Sequence, residues 1–165
     1  MRWLGASSAA LVLVVTTSGC AGAPSPGPMN LGGPDRWITC VSSTGEKVTV
    51  GDLFSIPGAQ NATLTDLRLV NSTGIDHHAS YVLPADDGYL GAGKYPPRIA
   101  AWAERRPVSG ATVEAGEEES FVLVLAPTGD GPHTSDGFAI TYEIAGTKYE
   151  NQNFVGFELK DICDE

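Results

Sequence analysis

The chain has 165 residues, a formal net charge of −10 and a mean hydropathy of −0.04, with 20 glycines, 11 prolines and three cysteines. Its length suits one domain with a sizeable core. The acidic balance argues against nucleic acid and against an anionic membrane surface as electrostatic partners.

At the N-terminus Arg2 precedes the apolar stretch Leu11–Val15, which is followed by Thr17-Ser18-Gly19-Cys20. The apolar run is too short for a spanning helix, which needs about 20 apolar residues, and suits the core of a signal peptide. The order resembles a bacterial lipoprotein export signal whose lipobox ends in the cysteine to be acylated. Thr17 stands where leucine is commoner, while Ser18, Gly19 and Cys20 fit. The resemblance implies removal of residues 1–19 and lipidation of Cys20, with the rest tethered on the extracytoplasmic face of the cell membrane. A rival cleavage after Ala21-Gly22-Ala23 would leave an unanchored secreted chain, but Pro24 is unfavourable next to a cut. Loss of residues 1–19 removes only Arg2 among the charges and takes the net charge to −11.

Lipidated Cys20 leaves Cys40 and Cys163 as one pair, in a compartment where a disulfide persists. The alternative is two free buried thiols. Residues 20–33 are rich in proline and glycine and carry no charge. They read as a lipid-anchored linker, extended around Pro24, Pro26 and Pro28, reaching up to about 40 Å. Residues 34–165 form the predicted domain.

Along that domain, Trp37–Ser42, Val48–Ile56 and Leu64–Leu69 read as strands, the last with Leu64 out of phase with Leu67 and Leu69, which predicts a bulge. Ala79–Leu83 follows as a strand, then a long irregular span from Pro84 to Pro107 with one short helical candidate, Ile99–Arg105. Val108–Glu114 is a short strand, and Phe121–Leu125 is apolar on both faces, as a central covered strand would be. Phe138, Ile140, Tyr142 and Ile144 alternate cleanly with polar or small residues. After the Ala145-Gly146 turn, Lys148–Leu159 returns as the second arm of a hairpin. About seven strands with glycine-rich turns predict an all-β fold, an antiparallel β-sandwich.

The run Asp136-Gly137-Phe138-Ala139-Ile140 resembles the start of strand F in immunoglobulin domains. Phe138 takes the place of that family's corner tyrosine, and Ile140 the place of its cysteine. The layout from Val48 to Leu159 is similar to small immunoglobulin-like lipoproteins of high-GC Gram-positive bacteria, which mostly lack an assigned activity. The resemblance implies an immunoglobulin-like sandwich and no particular chemistry.

His77 and His78, beside Asp76 on a predicted loop, are candidate copper or zinc ligands, with His133 joining if the two loops share one end. A cupredoxin site would also need a free cysteine thiolate. Asp130, Asp136 and the Asp86-Asp87-Gly88 turn offer oxygens, but not at the spacing of a calcium loop. No Gly-x-Ser-x-Gly elbow, phosphate-cradling loop or readable carboxylate pair nominates a catalyst. Glu117–Glu119 reads as a solvated turn guarding a strand edge, and Arg105-Arg106 as salt-bridged surface. Tyr89, Tyr95 and Trp102, in the long irregular span, are the candidate binding surface. The expected function is therefore a lipid-anchored envelope binding protein without catalysis or cofactor, whose partner is an envelope protein, a peptide or a glycan. A metal-binding lipoprotein is the runner-up and a secreted hydrolase the third reading.

Overall fold

Phe138–Ile144 folds as its alternation predicts, with Phe138, Ile140 and Tyr142 buried against the facing layer. The computed structural model describes residues 24–32, 37–85 and 91–163. In chain order these form β1 (Asn30–Leu31), β2 (Trp37–Ser42), β3 (Val48–Ser55), β4 (Ala62–Leu69) and β5 (Ile75–Pro84). Then come β6 (Gly91–Lys94), a 3-10 helix (Ala100–Glu104), β7 (Arg106–Pro107), β8 (Thr112–Val113) and β9 (Glu118–Pro127). The chain ends with β10 (Thr134–Ser135), β11 (Phe138–Ile144), β12 (Thr147–Asn153) and β13 (Val155–Lys160).

One layer is a six-stranded sheet in the order β1-β3-β9-β5-β7, with β6 also pairing β3. Facing it are a four-stranded sheet, β12-β11-β4-β8, and a three-stranded sheet, β10-β13-β2. A single core cluster draws on all three sheets, from Phe54 and Phe121 to Leu64, Ile140 and Phe157. Phe54 stacks on Phe121 at 3.7 Å between centroids, and Phe121 meets Phe138 edge-on at 5.8 Å across the layers. The fold is a β-sandwich. Between the named strands described, the pairing is antiparallel except for β13 with β2, which run parallel.

β9 is covered on both faces, as its sequence predicts. Phe121, Leu123 and Leu125 enter the main core, while Val122 packs with Leu83 and Ala101 in a second cluster under the 3-10 helix. The predicted bulge in β4 falls at Thr65, where the register with β11 shifts between Asp66 and Leu64. The Thr65 hydroxyl donates to the Thr141 carbonyl at this point.

Three expectations need correction. First, Lys148–Leu159 is not one hairpin arm. β12 pairs with β11, and after Phe154 the chain changes sheets to become β13, beside β2 and β10. Buried Asn153 sits at the switch, donating to the Asp52 carboxylate and accepting from Val155 N–H. Second, His77 and His78 lie inside β5, with a register shift at His78, rather than on a loop.

Third, the described part of the predicted linker, Pro24–Gly32, is a strap bound to the sandwich. Ser25 bridges Tyr149 in parallel, and Glu150 N–H donates to the Ser25 carbonyl. Asn151 accepts from Gly27 N–H and donates to the carbonyls of Gly27 and Met29. Met29 is only 4 % exposed and belongs to the core, and β1 then joins β3. A sequence rich in proline and glycine pairs here because Asn151 and Tyr142 supply side-chain partners that an uncharged segment cannot supply itself. The Cys40–Cys163 disulfide forms as expected, closing a separation of 123 residues.

Candidate functional site

The three histidines are held apart by separate partners. His77 Nε2 lies 2.6 Å from Ser80 Oγ, and burial holds the imidazole below its usual pKa. His78 Nε2 stands 3.5 Å from an Asp76 oxygen. His133 Nδ1–H donates to the Gly74 carbonyl at 2.8 Å. Among the described residues no three His, Cys, Asp or Glu side chains gather as a metal-binding group. The expected convergence of His77, His78 and His133 therefore does not occur: successive strand positions point apart, and His133 is spent on a turn carbonyl. Asp136 accepts from Asn71, and Asp86 and Asp87 lie outside the described residues.

The Ser80–His77 contact was not readable in the sequence. Both residues line an open cleft of about 340 Å³ with Asp66, Leu67 and Val108. The β5 bulge at His78 lets residues three apart in the chain meet on one side.

The aromatic residues make a more developed site. Lys94 ends β6, whose ladder with β3 fixes the following backbone, and Tyr95 N–H donates to the Lys47 carbonyl at 3.1 Å. Trp102 projects from the 3-10 helix and packs against the cluster of Leu83, Ala101 and Val122. Tyr95 and Tyr81 both meet Trp102 nearly perpendicularly, at 5.9 and 5.2 Å between centroids. Arg105 lies 4.8 Å over the Trp102 ring and donates to the Trp102 carbonyl. Such edge-to-face and cation–π contacts hold the rings without a rotameric search.

Beside them opens a groove of about 630 Å³ walled by Tyr95, Pro96, Pro97, Arg98 and Trp102. Tyr95 is 40 % exposed, so its ring is both fixed on one side and accessible on the other. Of the predicted aromatic surface, Tyr95 and Trp102 come together, and Tyr89 lies outside the described residues. The sequence did not show Tyr81 as the support beneath them, because only strand pairing places β5 under the helix.

The Arg105-Arg106 pair divides its work. Arg106 donates to both Glu119 oxygens, at 2.6 and 2.7 Å, and to the Thr112 carbonyl. Glu119 is thus a partner in β9 rather than part of a solvated turn. Burial raises its pKa, and the Arg106 guanidinium opposes that shift.

No protein-family model matches the chain, and no curated protein matches it. Among solved structures it is similar to a PapD-like domain of human CEP192, at 11 % identity and a TM-score of 0.43, covering 98 % of this chain and 100 % of that one. It is similar at 10 % identity and a TM-score of 0.42 to the VesB protease of Vibrio cholerae, covering 80 % of this chain but 31 % of the protease. A family 123 glycoside hydrolase from Clostridium perfringens matches at 14 % identity and a TM-score of 0.37, over 77 % of this chain and 23 % of the hydrolase.

Proposed function

We propose that this protein is an exported, lipid-anchored binding module of the cell envelope, and that it holds its ligand in the groove beside Tyr95 and Trp102. The observation that carries the reading is the pre-fixed aromatic groove on the outer face of the six-stranded sheet. Ligand sites characteristically combine apolar walls with a few polar groups, and rigid rings lose little entropy on binding.

The strap supports an outward-facing groove. It starts near the Ala145-Gly146 turn, running parallel to β12, and ends antiparallel to β3. Tyr95 adjoins the opposite end of β3, beside Lys47 and Val48. With acylation at Cys20, only Ala21, Gly22 and Ala23 separate the lipid from the strap. The tethered end would then face the bilayer and the groove the far side.

Two measurements test this. Metabolic labelling with a palmitate analogue should mark the chain, and Cys20→Ala should abolish the label. Purified protein applied to glycan and peptide arrays should retain a ligand that Tyr95→Ala releases. Equal retention by both proteins would remove the groove from the reading.

A second reading rests on the Ser80–His77 contact, which is the pairing a hydrolase uses to activate its nucleophile. Covalent labelling of Ser80 by a fluorophosphonate, lost in His77→Gln, would favour it; an unlabelled protein would leave the binding module.

A further inference from the structure

We infer that the groove takes a carboxylated saccharide, of the uronic-acid class, with its acid group between Lys94 and Arg98 and a C–H face of the sugar on the Tyr95 ring. The inference rests on the binding reading above and names the ligand that its chemistry selects.

Charge is the first argument. Four of the ten Lys and Arg residues fall between positions 94 and 106, in a chain with 20 acidic residues. Across residues 91–107 the sole acid is Glu104. Two of those cations are already engaged: Arg106 on Glu119, and Arg105 over the rings of Trp102 and Tyr81. Lys94 and Arg98 are exposed and line the groove, and their side chains have no hydrogen bond or ion pair within the described structure. A positive hollow on a strongly negative molecule draws anions locally while the rest of the surface repels them. A guanidinium also presents the fork that matches a carboxylate.

The walls decide between anions. A bare inorganic anion gains nothing from Tyr95, Pro96 and Trp102, whereas a pyranose offers a flat C–H face to an aromatic ring and carries its carboxylate at a fixed offset. An acidic peptide would dock most readily by adding a strand, but Pro96 and Pro97 remove two successive N–H donors from the rim. The cavity of about 630 Å³ lies within the range of small-ligand sites.

Titration of the purified chain with a galacturonic-acid trisaccharide, and with the neutral galactose trisaccharide as its counterpart, tests the assignment. The acidic sugar should bind saturably, with a dissociation constant of about 1 mM or tighter. Arg98→Ala and Lys94→Ala should each weaken it about tenfold, and added salt should weaken it further. Tyr95→Ala should weaken both sugars by a similar factor. The assignment is overturned if the two sugars bind alike, or if Arg98→Ala and Lys94→Ala titrate as the parent does. Should the neutral sugar or an array peptide bind instead, and Tyr95→Ala release it, the binding module stands and the carboxylate assignment falls. If no probe of any class binds, both fall.

Discussion

At Gly27 the strap passes so close to β11 and β12 that a methyl group there would stand 2.3 Å from the Tyr142 hydroxyl and 2.6 Å from the Tyr149 ring. Gly27→Ala should therefore lift the strap and cost about 1–3 kcal/mol, read as a lower midpoint in urea. Tyr142→Phe probes the same contact from the other side. The hydroxyl accepts from Met29 N–H and donates to Asn151, so its loss orphans a buried donor, at about 1–3 kcal/mol. Burial also lowers the affinity of His77 for a proton. As pH falls below 6.5 the unfolded chain protonates before the native one, so this contribution to stability is present above pH 6.5 and is lost in more acid solution. Thermal melts of His77→Gln should show a shallower loss across that acid limb than the parent. Nothing in the sequence around His77 tells of Ser80, because the partner is chosen by a bulge rather than by spacing.

Among the elements, legibility followed the placing of large apolar side chains along the strand. β11 is plain in the sequence, since its large apolar residues fall on one face and the alternation records it, while Ala139 and Thr141 on the other face are buried but small or polar. β9 is plain for the opposite reason, both its faces being covered and both apolar. The strap is hidden in the sequence because its residues carry no periodicity: its order comes from Asn151, Tyr142 and the pocket that receives Met29. Met29→Ala should empty that pocket and cost about 2–4 kcal/mol in equilibrium unfolding, an outcome a free linker would not give. The break between β12 and β13 was hidden in a similar way. Asn153 reads as an ordinary polar strand residue, yet it is 1 % exposed and tied to Asp52. Gly137, at φ +128°, lets β11 begin beneath it: a Cβ there would meet the Asn153 carbonyl at 2.3 Å. Gly137→Ala should consequently destabilise the protein more than substitution at Gly146, around which there is open space.

For the molecule as a whole, the disulfide joins β2 to the segment after β13, and these two strands pair in parallel. Closing 123 residues is worth roughly 5 kcal/mol in the chain-entropy description. A Cys40→Ala, Cys163→Ala double variant should lose about 2–5 kcal/mol in chemical unfolding, and a change within error would show that parallel pairing suffices without the bridge. The candidate site divides along similar lines. That Tyr95, Trp102 and a basic cluster share one span is legible from composition; that they form one groove on Tyr81 is not, since β5 and the helix are brought together by β9 and β7. By itself the sequence determined the β class, most strand positions and the cationic character of residues 94–106, because alternation and charge are local properties. Only the tertiary structure decided where the strap lies, that the histidines are separated and that the aromatic rings meet. Those outcomes depend on contacts between residues far apart in the chain, which no local pattern encodes.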